Sequence, residues 1–310
     1  MDLPARVAAG GLIDPPRVVV ALLSGGRDSV CMLDLAVRAR GPADVLALHV
    51  DYGFRPESHD DADFCSSLCG GLGVELVTER PVRPETSGNL QAWARDVRYA
   101  AAARLAEARD ATIVTGHTAD DQVETILYRL ASSPSRRALL GMKERDGRLA
   151  RPLLGTTRAE VTAYDEERGL AWREDRTNEE EGYARNRVRH GLVPELAAIH
   201  PAAVQNVLRT AALLRDEAEV LDALVAVELD GTGAAARGRI AHARFAELPP
   251  ALRRLVLQRL ADAAAGRPVA GAARFADQVA GLHRGGSRLD LGDGVQAVLE
   301  SGVLRAERAP

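Results

Sequence analysis

With 310 residues the chain has room for about two domains, and with 46% hydrophobic residues it has the material for a sizeable core. Its formal charge of −4 excludes a whole-molecule basic field, so any nucleic-acid site has to be a local patch. Of the 40 basic residues only Lys143 is a lysine. That excludes a Walker-type GK[ST] loop and weakens every arginine cluster as the sign of a dedicated anion site.

The first residues, "MDLPARVAAGG", lack the charged-then-apolar pattern of a secretory signal, and no apolar run reaches ~18 residues. A cytoplasmic protein without a membrane segment is expected. From residue 17 to about 131, apolar runs alternate with helical patterns. "RVVVALL" is expected to be a buried strand, followed by a helix from Asp28 to Arg40; "VLALHVDYG" is the second strand, followed by a helix from Glu57 to about Leu72. "VELVTERPV" and a helix over about Asn89 to Ala108 come next, then "ATIVTGH" and a helix over Asp120 to Leu130. Val- and Leu-rich strands alternating with helices predict an α/β fold, a parallel sheet with helices on both faces. Ligands of such sheets bind beyond the carboxyl ends of the strands.

Beyond residue 131 the texture changes. A polar loop, "ASSPSRRALLGMKERDGR", leads to a short return "LARPLLG" and a helix from Thr157 to Arg168. After about Pro201 the pattern is amphipathic helices with short connections, and the tail "SRLDLGDGVQAVLESGVLRAE" predicts two or three short strands with Gly turns. A catalytic domain over 1–198 and a mainly helical region over 199–310, ending in strands, are expected. Cys65 and Cys69 share a helix stripe with Phe64, Leu68 and Leu72, so they are expected to be core residues rather than metal ligands with His59.

Four segments carry chemistry. In "SGGRDS", Gly25 and Gly26 let the backbone bring N–H groups close to an anion, while Ser24 and Ser29 add hydroxyls at a helix's positive end. Asp28 suits a Mg²⁺ riding on phosphates; the plain alternative is a turn in which Asp28 and Ser29 cap the helix. In "TGHTADDQVETILYRL", His117, Asp120, Asp121 and Glu124 fall on one helix face, with Ile126, Leu127 and Leu130 expected to turn towards the core. For Asp121 a capping box with Thr118 competes. Arg95 and Arg98, beside Trp93 and Tyr99, form either a solvated face or a phosphate contact. Arg185, Arg187, Arg189 and His190, with Asn178 and Asn186 nearby, suit a polyanion or pair with Glu179 to Glu181.

Taken in order, "SGGRDS", "ARDVRY", "GHTADDQVET" and "ED.TN......RN.VRH...P" resemble the tRNA(Ile)-lysidine synthase family, a branch of the PP-loop or N-type ATP pyrophosphatases, over roughly residues 17 to 195. The resemblance implies an enzyme that uses ATP to adenylate C2 of the wobble cytidine in an isoleucine tRNA with a CAU anticodon. The ε-amine of free lysine then displaces AMP to give lysidine. It implies that Ser24, Gly25, Gly26, Arg27, Asp28, Ser29 and His117 bind ATP, and that Asp28, Asp120 and Asp121 serve catalysis, with Asp28 and Asp121 as Mg²⁺ ligands. Arg95, Arg98, Glu124, Asn178, Arg185, Asn186 and Arg189 are the implied substrate and tRNA residues. The oligomeric state stays open, a homodimer being one option. The chain departs from the family in two places. "YGFRPES" stands where a His-Gly-Leu-Arg run is usual, and "YRLASSPSRRALLGM" keeps only Gly141 and Met142 of a glycine-rich loop. A PP-loop tRNA thiolase is the runner-up, disfavoured by the lack of a CxxC pair; a divergent, inactive tRNA- or nucleotide-binding member is the third reading. The chain is shorter than the longest family members, which implies a form without their extra C-terminal domain.

Overall fold

The computed structural model describes residues 2–13, 17–54, 58–83, 90–132, 136–174, 184–230, 238–283 and 286–309. The chain divides into two compact units, Met1–Ala211 and Ala212–Pro310.

The first unit opens with a short helix α1 (Leu3–Ala9) and is built on a six-stranded sheet. Its elements are β1 (Val19–Leu22), α2 (Arg27–Arg40), β2 (Val45–Val50), α3 (Ser58–Leu72), β3 (Glu75–Glu79), α4 (Leu90–Ala108), β4 (Thr112–Val114) and α5 (Ala119–Ser132). There follow α6 (Arg136–Leu139), β5 (Arg145–Asp146), β6 (Leu149–Ala150) and α7 (Arg158–Arg168). The strand order is β3-β2-β1-β4-β6-β5; β5 alone runs antiparallel, paired with β6 through Arg145↔Ala150. The expected parallel sheet therefore carries one antiparallel edge hairpin, its first strand at the end of the expected polar loop and its second at the start of the expected return.

Both faces of the sheet are covered, as the unbroken apolar strands require. Val19, Ala21, Val45 and Ala47 point to a core shared with α2, α3 and α7, while Val20, Leu22, Leu46 and Leu48 point to a second core with Ala101, Ala102 and Ala106 of α4. Cys31, Cys65 and Cys69 are buried in the first core, in line with the helix-stripe expectation.

From β1 the chain winds outwards to β2 and β3, then returns to lay β4 against the other edge of β1. That reversal opens a crevice at the carboxyl ends of β1 and β4, the place where such sheets bind ligands. One expectation fails on α5. Leu130 is 55% exposed and Leu127 half-buried, whereas Glu124 is buried at 2%. The helix thus turns a charged residue inwards, for a reason given below.

A helical segment follows from Ala184 to Ile199: α8 (Ala184–Arg187), a π-helical turn over Val188–Leu192, and α9 (Val193–Ile199). α10 (Ala203–Asp230) crosses from the first unit into the second. The second unit adds β7 (Arg239–Ala241), α11 (His242–Glu247), α12 (Pro250–Ala265), α13 (Ala276–Ala280), β8 (Ser287–Gly292), β9 (Val295–Glu300) and β10 (Val303–Arg308). Its antiparallel sheet runs β7-β10-β9-β8 over a core that includes Phe245, Leu257, Leu260 and Leu291. Asp293-Gly294 and Ser301-Gly302, all with positive φ, make the two hairpin turns, the backbone that matches strand twist. Among the described residues no helix is long and apolar enough to cross a membrane.

At the α2–α7 contact Asp165 is fully buried, with the Cys31 thiol beside its carboxylate. Burial, helped by the charge of Asp28, raises its pKa from 3.8 to about 7. Between those two values the folded chain holds a proton that the unfolded chain has released, so stability falls as pH rises through this window. Asp165→Asn is expected to flatten that slope, and at pH 8 to exceed the wild type by on the order of 1–3 kcal/mol. Urea midpoints at pH 5 and pH 8 measure it; parallel shifts of both proteins would contradict the assignment.

Candidate active site

The turn after β1 is held by its own side chains. Gly25 has φ +84°, a conformation that favours glycine, and a Cβ there would press on Cys65 and Phe64 at 3.4 Å. Gly26 is the N-cap of α2 with no side-chain cap bond, so the plain capping alternative for Asp28 and Ser29 is not what the turn uses. Instead the Ser29 hydroxyl donates to the Gly26 carbonyl at 2.7 Å and accepts the Ser24 N–H at 3.2 Å. The Ser24 and Ser29 hydroxyls lie 3.1 Å apart. Arg173 N–H donates to the Gly25 carbonyl at 2.9 Å, tying the turn to the chain beyond α7. The result is a rigid loop with two hydroxyls and the positive end of a 14-residue helix on one spot.

β4 delivers the second half. Gly116 passes so close to α2 that a Cβ would come within 2.6 Å of the Asp28 carbonyl carbon and closer still to its oxygen. This contact brings Asp28 and Asp121 within each other's field. Burial raises the Asp28 carboxyl, and the Asp121 charge raises it further, against the Arg27 guanidinium 3.3 Å away. Asp121 is itself buried, which alone would raise it. The Thr118 N–H at 2.9 Å and the nearby Arg185 reverse that and hold it below its ordinary range. The Thr118–Asp121 capping box is therefore present, and the same acid still faces the crevice. His117 accepts or donates at 2.7 Å to the Thr115 hydroxyl through Nδ1. Burial, with help from Arg151, lowers its pKa to about 4 against the pull of Asp121, so it is neutral at pH 7.

Glu124 explains its own burial. Arg189 Nε donates to it at 2.6 Å, Arg185 Nε at 3.3 Å and Arg158 Nη2 at 3.4 Å. The same three guanidiniums stand 3.5–3.7 Å from Asp121. Three cations thus face two carboxylates across α5, the start of α7 and the Ala184–Ile199 segment. Asp120 fastens the same corner, its carboxylate accepting the Arg158 N–H at 2.7 Å at the first turn of α7. Half-buried Asn186 lies between Arg185 and Arg187 on α8. Asn178, and the Glu179 to Glu181 alternative partners, lie outside the described residues.

The end of the altered loop is clamped against the site. The Gln122 side chain accepts the Met142 N–H at 2.6 Å and donates to its carbonyl at 2.9 Å, while Arg129 donates to Gly141 at 2.7 Å. A Cβ on Gly141 would strike the Gln122 amide at 2.6 Å. Arg95 and Arg98 stay on α4 with Tyr99, their guanidiniums 4.9 and 5.5 Å from its ring.

A model of the PP-loop domain matches residues 7–196, which is the first unit's sheet and the arginine segment that follows it. The chain belongs to the PP-loop family. Curated relatives of this PP-loop chain include proteins named tRNA(Ile)-lysidine synthase. One from Thermus thermophilus is 38% identical over 275 residues, covering 87% of this chain and 54% of its own length. One from Azoarcus sp. is 36% identical over 301 residues, covering 93% and 65%. The chain thus spans about half the length of the Thermus relative. Among solved structures, the U34-tRNA thiolase NcsA from Methanococcus maripaludis shares the PP-loop fold, with TM-score 0.58 at 17% identity over 69% of this chain and 78% of that one.

Sequence reasoning missed Arg158 and Arg151. Both follow β6, in "RPLLGTTR", and no periodicity links that stretch to α5; the Thr157–Glu160 capping box was the available signal that a helix begins there, beside the acidic stripe. Glu124→Gln should destabilise the first unit by ~3 kcal/mol, because it leaves three partly buried guanidiniums with Asp121 as their one remaining shared charge. An unchanged urea midpoint would show that the arginines are solvated rather than paired.

Proposed function

We propose that this chain is the catalytic part of an ATP-dependent ligase that joins free lysine to C2 of the wobble cytidine in an isoleucine tRNA with a CAU anticodon. The observation that carries the reading is the shared crevice. The Ser24–Ser29 turn, the Asp28–Asp121 pair and the Glu124 arginine hub converge at the β1–β4 switch point, and the relatives that share this chain's sequence carry the name of that synthase.

In this reading the turn and the α2 N-terminus hold the β- and γ-phosphates. The cytidine O2 attacks the α-phosphorus and pyrophosphate leaves; the lysine ε-amine then attacks C2 and AMP leaves. Among the described residues no three His, Cys, Asp or Glu side chains are grouped as a metal site. Two carboxylates nevertheless suffice as the protein's share of a Mg²⁺ that keeps waters and phosphate oxygens; Asp28, raised by burial and then by the charge of Asp121, is an acid that a shared cation would relieve. Bound there, Mg²⁺ would stabilise charge on the departing pyrophosphate. Asp121, held ionised, suits holding positive charge rather than taking a proton. Neutral His117 suits a hydrogen-bonding role towards the nucleotide. Arg185 and Arg189 are committed to Glu124, so the reading gives them the shaping of the pocket as well as a polyanion.

The thiolase reading is less well supported. All three thiols are buried, and burial pushes Cys65 up to about 12 and Cys69 to about 11, the reverse of a reactive thiolate.

Purified protein with ATP, lysine and a CAU-anticodon isoleucine tRNA transcript should release AMP and incorporate labelled lysine only when all are present. Pyrophosphate release without lysine incorporation would sink the ligase reading. Asp28→Ala is expected to cut turnover by roughly two orders of magnitude or more, with tRNA affinity within a few-fold in a filter-binding assay. A variant that loses tRNA binding in parallel would place Asp28 outside the nucleotide chemistry.

A further inference from the structure

Aromatic residues are scarce at 4% of the chain, yet three of them gather at the edge of the second core, with Tyr52 packed against it. Tyr52 and Phe54, just past β2, and Trp93 of α4 form a ring cluster. Tyr52 and Phe54 stack with centroids 5.1 Å apart at 12°, and Trp93 stands 6.0 Å from each. The Tyr52 hydroxyl donates to the Ala94 carbonyl at 2.9 Å and fixes the inner ring. Phe54 is 42% exposed. The cluster occupies the carboxyl end of β2, next to the strand that carries the phosphate turn.

Cations border it. Arg95 and Arg98 project from the same helix against Tyr99, and among the described residues the Arg98 Nε and the Tyr99 hydroxyl are buried without a hydrogen-bond partner. Arg98 acts electrostatically in two directions. It opposes the rise that burial imposes on the Tyr52 phenol, and it adds to the influences that keep His117 unprotonated. Arg98 is thus within electrostatic reach of both Tyr52 and His117. Aromatic faces with a cation at the rim hold unpaired nucleobases, with any base accepted and the phosphates taken by arginine. A nucleotide at the Ser24–Ser29 turn has its phosphates met there, so the α4 arginines are left for a second polyanion.

We propose that Phe54 and Trp93 form a stacking platform for an unpaired base of a single-stranded RNA loop, flanking the nucleotide that reacts in the crevice, with Arg95 and Arg98 taking the neighbouring phosphates. This rests on the RNA-ligase reading above and names where the flanking base is held. Phe54→Leu removes the π-face and keeps an apolar side chain; Phe54→Trp keeps the face. In the full chain, with a fluorescein-labelled CAU anticodon stem-loop followed by anisotropy, Phe54→Leu is expected to raise Kd by about tenfold. Phe54→Trp should bind as the wild type does, and affinity for a non-hydrolysable ATP analogue should be unchanged in both. An abasic substitution of the flanking loop base should weaken wild-type binding to the same extent and make Phe54→Leu silent.

Equal RNA affinity of Phe54→Leu and wild type, or losses from the variant and the abasic loop that simply add, would overturn the platform. So would a loss confined to the ATP analogue, which would give the rings to adenine. Should Phe54→Leu not fold, the abasic loop against the unaltered chain and against Phe54→Trp reads the same contact. Lysine incorporation by the wild type is scored separately. A ligase whose RNA binding ignores Phe54 loses the platform alone, and an inactive chain whose RNA binding needs Phe54 loses the ligase reading alone.

Discussion

One missing methyl group sets the distance on which the site depends. Because Gly116 has no Cβ, the exit of β4 lies directly against the first turn of α2, with the Asp28 carbonyl where a side chain would otherwise be. Two segments far apart in sequence are thereby joined at backbone level rather than through side chains that could rotate away. The hydroxyls of the turn, the charge of Asp28 and the acidic face of α5 inherit their spacing from that contact. The sheet order makes it possible, since β1 and β4 are neighbours only because the chain reverses there.

The second organising element is charge. Acidic side chains are drawn out of water, fully at Glu124 and in large part at Asp121, and such burial is costly unless partners converge on them. Arginine suits the task because a planar fork can serve two carboxylates at once, as Arg189 does with Glu124 and Asp121. The composition made arginine clusters a poor sign of function. What distinguishes Arg158, Arg185 and Arg189 from the solvated ion pairs elsewhere, such as Arg305 with Glu300, is the buried acid they share.

Much of the fold could be read from the residues because the central strands β1, β2 and β4 are buried along their whole length and almost wholly apolar. The phosphate turn and the acidic stripe were legible for a related reason: polar groups at a strand's end interrupt that pattern. The inward turn of Glu124 was not. Periodicity assigns residues to faces of a helix but carries no information about what covers a face. Here the cover is three arginines from beyond residue 157, and Leu130, on the face expected to be apolar and buried, is left to solvent. The edge hairpin of β5 and β6 escaped notice because two-residue strands have no period, although Gly147 with φ +61° marks its turn. The spacing of Gly25 and Gly26 announced a turn, but which of them needs the left-handed backbone emerged from the φ values.

The arginine hub also determines how little of the chain can stand alone. The sheet is complete by β6, so strand count would place the end of a minimal fragment soon after residue 150. A chain cut between α7 and Ala184 would keep every strand of the first sheet yet leave Glu124 with the guanidinium of Arg158 and without those of Arg185 and Arg189. Such a piece would hold a buried acid short of two of its three cations, the last of them on the π-helical turn. The limit is electrostatic, and no inventory of strands would reveal it.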